Sequence, residues 1–508
     1  MSPYVIIVGS GFAGLSAASF MAKAGWKVTV IEKNSGPGGR ARQLKEDGFT
    51  FDTGPSWYWM ADVFEDYFEK FGRKVSDYYS LQRLDPSYRV YWKDGFTDVP
   101  ADYDLFKIMV DEFEPGASEQ LEKYLKEAAY KYAIGIKKLV HKPGRSLTEY
   151  IDGDIFKGVF RLDVFTSIKK HIHKYFKHPR LRQLMEFPIL FLGALPENTP
   201  ALFSLMNYAD IKGGTWYPGG GMYSVVDAMY KLAVELGVKF HFNEEARQIF
   251  VEDGVAKKLI TNKEMHDADI IISGADYHFT EEKLLSEENR SYSEAYWDKR
   301  IMAPSCLLYF VGLNKKLKNV VHHSLFFDVP FEQHAKEIYE EPQWPANPRF
   351  YVSVNSVTDE TTAPPGCDNM VLLIPVASGL QGDDEITREK YFQQVIARME
   401  EHTGQSILDA VICKKTFSVS DFSREYNSFK GNAYGLANTL LQTALFKPSC
   451  KSKKVKNLFY TGQLTVPGPG VPACLISGEV VTKEVIKEFG GYPKRRREKL
   501  INEKIERS

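Results

Sequence analysis

Two short groups near the start of the chain have the residue types and spacing to hold a phosphorylated ligand. Gly9, Gly11 and Gly14 stand in G-x-G-x-x-G spacing, and Glu32 follows 18 positions after Gly14. In that pattern the first glycine permits a tight turn and the second lets backbone approach a pyrophosphate. The third lets a helix pack closely on a strand. N–H groups at a helix start, here near Phe12, Ala13, Gly14 and Leu15, face an anion with the positive end of the helix dipole. An acid in the place of Glu32 accepts hydrogen bonds from an adenosine ribose. The second group is Gly38-Gly39-Arg40-Ala41. A glycine turn followed by a guanidinium reaches the same pyrophosphate from its other side. The chemistry implied is the holding of a dinucleotide. These residues alone do not choose between NAD and FAD.

The elements needed to position them are legible. Residues 5–8 form an apolar run of one buried strand. Residues 15–24 are rich in Ala, Leu, Met and Lys, which favour helix. Gly25 closes that helix and 28–31 reads as a second strand. Residues 49–57 read as a strand running into a glycine–proline turn, Gly54-Pro55-Ser56, which can lie beside a flavin ring. Helical patterns follow at 63–71 and 119–138, with a hairpin around Asp94-Gly95 between them. Ser146 and Glu149 have capping-box spacing, and Glu149 is read as a cap rather than a proton acceptor. The apolar stretch 186–208, broken by Pro188, Pro196 and Pro200, suits buried helix ends, a cavity wall or a patch that dips into lipid.

A glycine-rich turn at 213–221 precedes a helix at 223–236, a strand at 238–242 and a hairpin across Asp253-Gly254. The apolar run 268–276 looks like a return to the nucleotide-binding layer after a long insertion. Candidate strands at 307–313 and 370–375 and a helix at 390–402 follow. Residues 457–463 then make a strand into Gly462, before a helix from about Ala473. N–H groups near Val471 can stabilise negative charge on a reduced flavin.

Bulk composition narrows the field. The chain has 508 residues, a net charge of −1 and 44% apolar residues, so it is globular and no general nucleic-acid binder. Aromatics reach 13%, which for most of them suits an aromatic-rich core and otherwise large apolar surfaces or a long apolar cavity. Five scattered cysteines without a C-x-x-C argue against a disulfide framework or zinc site. His171, His173, His322 and His323 read as surface residues, and no metal centre is expected. No secretory signal and no spanning segment is apparent. The expected location is cytoplasmic, with peripheral membrane contact. The basic tail at 491–508 suits a frayed end or anionic lipid.

Together these motifs resemble the bacterial-type phytoene desaturases, a carotenoid desaturase family within the amine-oxidase-like flavoproteins. The resemblance rests on the N-terminal fingerprint with Glu32, Gly38-Gly39-Arg40-Ala41, Asp52-Thr53-Gly54-Pro55-Ser56, Trp216-Tyr217-Pro218-Gly219-Gly220, and Gly462 with Pro467-Gly468-Pro469-Gly470. Pro365-Gly366-Cys367, Asp421-Phe422-Ser423-Arg424 and the stretch 441–448 extend it along nearly the whole chain. It implies an α/β fold: a Rossmann-type, glutathione-reductase-like FAD domain at 1–75, 212–290 and 451–490, with a discontinuous α+β substrate lobe at 76–211 and 291–450. It implies FAD contacts from Gly9, Gly11, Phe12, Ala13, Gly14, Glu32, Lys33, Gly39, Arg40, Gly54, Pro55, Ser56, Ala246, Gly462 and Val471. The implied reaction is desaturation of an apolar, phytoene-type polyene, by hydride transfer from an allylic carbon to flavin N5 and proton loss from its neighbour. No side chain stands out as the proton acceptor, and the oligomeric state is open. Gln463, Leu464, Val466 and Pro469 depart from the family's usual C-terminal signature, which touches substrate choice rather than cofactor binding. Alternatives on the same fold are an amine oxidase, a carotenoid or retinoid saturase or isomerase, and a flavin-free lipid carrier of the Rab-escort kind.

Overall fold

The apolar run at the start of the chain forms the middle strand of a five-stranded parallel sheet. The computed structural model describes residues 3–146, 149, 162–190 and 193–490. Across the sheet the order is Leu458–Tyr460, Ile270–Ser273, Tyr4–Val8, Lys27–Ile31 and Lys239–His241, every pairing parallel. Val5, Ile6, Ile7, Val30, Ile271 and Ile272 are fully buried. Such uninterrupted apolar strands belong to parallel sheets covered on both faces. The helices Phe12–Lys23, Met222–Glu235 and Val471–Phe489 contribute Ala17, Ala18, Met21, Ala233, Val481 and Val485 to the core on this sheet.

Two glycines set how closely these layers approach. A Cβ on Gly14 would overlap the Gly9 carbonyl oxygen, and one on Gly478 would lie 2.5 Å from Ser16 Cβ. An antiparallel sheet of Ala246–Glu252, Val255–Thr261 and Met265–Asp267 hangs beside the parallel one. Its first turn places Asp253 and Gly254 at φ 51° and 70°, the left-handed pair that a two-residue hairpin favours.

The second layer is a seven-stranded sheet. Its order is Val411–Phe417, Ser305–Leu313, Asp368–Val376, Phe350–Ser353, His323–Phe326, Tyr88–Trp92 and Gly95–Val99. Only His323–Phe326 against Tyr88–Trp92 is parallel. Side chains alternate faces along a strand. Leu307, Tyr309, Val311 and Leu313 accordingly pack with Phe392, Val395 and Ile396 of the helix Glu385–Thr403. Cys306, Leu308 and Phe310 face the other way, with Phe49 and Phe51. The helices Tyr103–Phe113, Ala117–Lys137, Ile168–Tyr175 and Pro179–Leu190 close the lobe around an aromatic-rich core.

Several expectations find their outcome here. Within the stretch 186–208, Phe187, Ile189, Ala201 and Leu205 belong to that core, so these side chains take the buried reading. Residues 191 and 192 of it, and the basic tail at 491–508, lie outside the described residues. The Glu149 carboxylate accepts from the Arg145 N–H at 3.2 Å. Three histidines read as surface residues are not: His171, His322 and His323 are buried. His171 lies on the inner face of its helix against the fully buried Lys131. His323 opens a strand in the middle of the seven-stranded sheet, covered on both faces.

Candidate functional site

A cavity runs along the carboxyl ends of the parallel strands, where open α/β sheets bind their ligands. Val8, Ile31, Gly274 and Thr461 line it from four of those strands or the residues just beyond them. Its volume is about 300 Å³, at the lower end of the range of about 300–1,000 Å³ for small-molecule pockets.

Thirteen of the fifteen residues expected at the cofactor meet at this cavity: Gly9, Gly11, Phe12, Ala13, Glu32, Lys33, Gly39, Arg40, Gly54, Pro55, Ala246, Gly462 and Val471. Gly14 and Ser56 do not line it. Gly14 is the packing glycine described above. Ser56 Oγ accepts from the Tyr351 hydroxyl at 2.9 Å, and that hydroxyl also lies 2.7 Å from His323 Nδ1. Trp57 stacks on the His323 ring at a centroid distance of 4.2 Å.

Glu32 is held from four directions. Its Oε2 accepts from Ser10 N and Oγ at 2.9 and 2.8 Å, and its Oε1 from Asn34 N and Nδ2 at 2.9 and 2.8 Å. The network fixes the carboxylate at the end of its strand, where a ribose hydroxyl would share or displace one of these donors. The N–H groups of the helix Phe12–Lys23 open onto the cavity from below. Opposite them, the turn Gly39–Ala41 comes so close that a Cβ on Gly39 would sit 3.2 Å from Gly11 Cα.

Arg40 is the cation of the Gly39–Ala41 turn on this wall. Burial pushes its guanidinium below the ordinary arginine range, and the nearby Asp276 pulls it back. Burial likewise raises the Asp276 carboxyl, against the pull of Arg40. Arg40 Nη2 donates to Ser428 Oγ at 2.8 Å, while Nε is buried with no hydrogen-bond partner. A buried N–H without an acceptor is costly, so a further acceptor, such as a phosphate oxygen, fits at this point. An arginine N–H without a partner, a helix start and the close approach of Gly39 to Gly11 together fit a dinucleotide pyrophosphate.

The far wall comes from the other lobe. Cys306 and Leu308 of the strand Ser305–Leu313, Leu373 of Asp368–Val376, and then Phe422, Ala433 and Tyr434 close it. Burial raises the Cys474 thiol to about 11, so it is a neutral wall group at ordinary pH. Sequence reasoning missed Ser10, Asn34, Asp276 and these lobe residues. The small-residue turn at 274–276 was a usable signal. Leu308, Leu373 and Tyr434 carried none, because only the pairing of distant strands brings them to the cavity.

These features define a two-lobed nucleotide-binding oxidoreductase fold. A family model described as flavin containing amine oxidoreductase matches residues 12–486. A carotenoid 3,4-desaturase from Haloarcula japonica is 40% identical over 488 residues, spanning 96% of this chain and 98% of its own length. A zeta-carotene-forming phytoene desaturase from Myxococcus xanthus is 30% identical over 487 residues, spanning 95% and 93%. The crystal structure of an oxidoreductase from Methanosarcina mazei has a TM-score of 0.61 over 94% of this chain and 100% of that one. At 17% identity that likeness speaks for the fold alone. The chain belongs to the flavin containing amine oxidoreductase family and, within it, to the carotenoid desaturases. It is an FAD-dependent oxidoreductase of CH–CH groups.

Proposed function

We propose that the chain introduces a C=C bond into an apolar polyene of the carotenoid class, with phytoene-type compounds as its substrates. One observation supports this reading above the others. The cavity that fits the cofactor is walled, on the side of the seven-stranded sheet, by Cys306, Leu308 and Leu373, and the chain matches carotenoid desaturases over nearly its whole length. An amine oxidase on this fold calls for a polar entrance to its reaction chamber. The three sheet residues give an apolar wall instead.

FAD, when bound, supplies the hydride acceptor. The chain's own residues hold and orient it. Arg40 and the N–H groups near Phe12 and Ala13 take the pyrophosphate. Glu32, fixed by Ser10 and Asn34, takes the ribose. Lys33 and Ala246 close the adenosine end, and Gly54, Pro55, Gly462 and Val471 border the flavin ring. The helix start at Val471 offers N–H groups where negative charge gathers on reduction. Leu308, Leu373 and Leu464 keep water from the reacting carbons, which protects a cationic transition state from hydration. The FAD domain is taken as 1–75, 212–290 and 451–490, and the substrate lobe as 76–211 and 291–450.

A polyene of this kind dissolves in membranes, and one patch of the surface supports a peripheral contact. Among the described helices none is long and apolar enough to cross a bilayer. Ile301, Leu441 and Phe446 are more than half exposed, and Leu440 lies beside them. Gln442 ties Ile301 to this loop through hydrogen bonds of 2.9 and 2.8 Å. The four apolar side chains form a knob of the sort that enters the headgroup boundary.

The test is anaerobic incubation with phytoene in liposomes, following flavin bleaching and product absorbance together. Bleaching coupled to a longer conjugated product is expected. Bleaching with a polyamine and none with any carotenoid defeats the proposal. An already conjugated carotenoid belongs in the panel, because the 40% identical relative is a 3,4-desaturase.

A further inference from the structure

Four donor side chains converge beside the adenosine end of the cavity, from two separate elements. His241 ends the edge strand Lys239–His241 and Glu244 follows it. Glu264 and His266 come from the turn and strand around Met265–Asp267 of the antiparallel sheet. His266 Nε2 lies 2.5 Å from Glu244 Oε1, and His241 Nδ1 lies 3.1 Å from Glu244 Oε2. Glu264 Oε1 is 3.8 Å from His241 Nδ1 and 3.9 Å from His266 Nε2. One donor atom from each of the four falls within 4.8 Å of every other.

We propose that His241, Glu244, Glu264 and His266 form a binding site for a divalent transition-metal cation of the zinc type. Bonds of about 2.0–2.1 Å at tetrahedral angles set neighbouring donors about 3.3 Å apart, in the middle of the separations observed. Two imidazoles and two carboxylates are an N/O set that Zn²⁺ takes, and the two carboxylate charges balance the ion. Support for the ligands is already in place. Thr261 Oγ1 donates to Glu244 Oε1 at 2.8 Å and accepts from Glu264 N at 3.0 Å. Hydrogen bonds of that kind orient ligands and are costly to lose. Glu244 and His266 are buried, whereas Glu264 is 59% exposed at its side chain and gives the ion a way in.

A second cluster shows what a filled site of this charge looks like. Glu127, Asp163 and His171 also gather, but the Lys131 ammonium stands among them, 2.9 Å from Asp163 and 3.4 Å from His171. Among the described residues, the ion pairs of Glu244 and Glu264 are with the two imidazoles alone. The consequence of binding is structural. The Glu244 N–H donates to the Glu32 carbonyl at 2.9 Å, so a metal would tie the antiparallel sheet to the strand end that carries Glu32.

The test uses the FAD-loaded full chain, freed of metal by a chelator and titrated with Zn²⁺ and separately with Co²⁺. One equivalent per chain by elemental analysis and the visible bands of four-coordinate Co²⁺ are expected. His241→Ala, His266→Asn and Glu264→Ala should each weaken binding at least tenfold. Glu264→Ala alters an exposed side chain and keeps the test open should a histidine variant fail to fold, which its flavin content would report. The absence of stoichiometric metal in the wild type overturns the proposal, as does unchanged affinity in all three variants. Either result makes the cluster an internal hydrogen-bond network.

Discussion

At the scale of single residues, Glu32 and Lys447 show opposite uses of a buried charge. Glu32 accepts four hydrogen bonds, which fix its carboxylate at the strand end where the proposed function puts a ribose. Glu32→Ala removes these acceptors and leaves the Ser10 and Asn34 donors unpaired, at about 1–3 kcal/mol for such a loss. FAD affinity is expected to fall by about 10- to 100-fold, read from flavin released on dilution. Unchanged retention contradicts the ribose role. Lys447 is buried and donates to Asn438 Oδ1 at 3.2 Å. Burial pushes its ammonium down to about 7, from an ordinary value of about 10.4. Below the lower value both folded and unfolded chains carry the proton, and the folded state bears the whole cost of a buried charge. Between the two values only the unfolded chain keeps the proton, so stability rises with pH across that window. Lys447→Met should therefore raise Tm most in mildly acidic buffer and least near pH 10. An equal gain at both ends would show that the ammonium is not the cause.

At the scale of elements, the first helix is held close to the strand end at Gly9 on one side and to the last helix on the other. Gly14 and Gly478 allow backbone to approach backbone where a Cβ has no space. Gly14→Ala forces the first helix off the strand end at Gly9, and Gly478→Leu forces the last helix off the first; overpacking of this kind costs about 1–3 kcal/mol or more. Both should lower Tm, and Gly14→Ala should also lose FAD, since the N–H groups of Phe12 and Ala13 move with the helix. Full flavin occupancy in Gly14→Ala would place the phosphate elsewhere. The alternation along Ser305–Leu313 is the second device. One face of this strand builds the lobe core and the other supplies Cys306 and Leu308 to the cavity.

At the scale of the whole molecule, the two sheets face one another across the cavity and the apolar knob of Ile301, Leu440, Leu441 and Phe446 lies on the outside. Burying one large apolar side chain contributes about 1.5–3 kcal/mol. The double variant Leu441→Asp with Phe446→Asp should weaken co-sedimentation with liposomes by more than tenfold while keeping FAD and Tm. Undiminished binding would move the membrane contact to another face. The sequence by itself determined the nucleotide-binding end, because Gly9, Gly11, Gly14, Glu32, Gly39 and Arg40 act through local geometry at fixed spacing along one βαβ unit. Only the tertiary structure decided the other wall. Leu308, Leu373, Tyr434 and Asp276 lie far apart in the chain, and their types are those of any core. The buried His171, His322 and His323 were misread for the same reason: a polar ring is placed inside or outside by the neighbours that cover it, and those come from distant strands and helices.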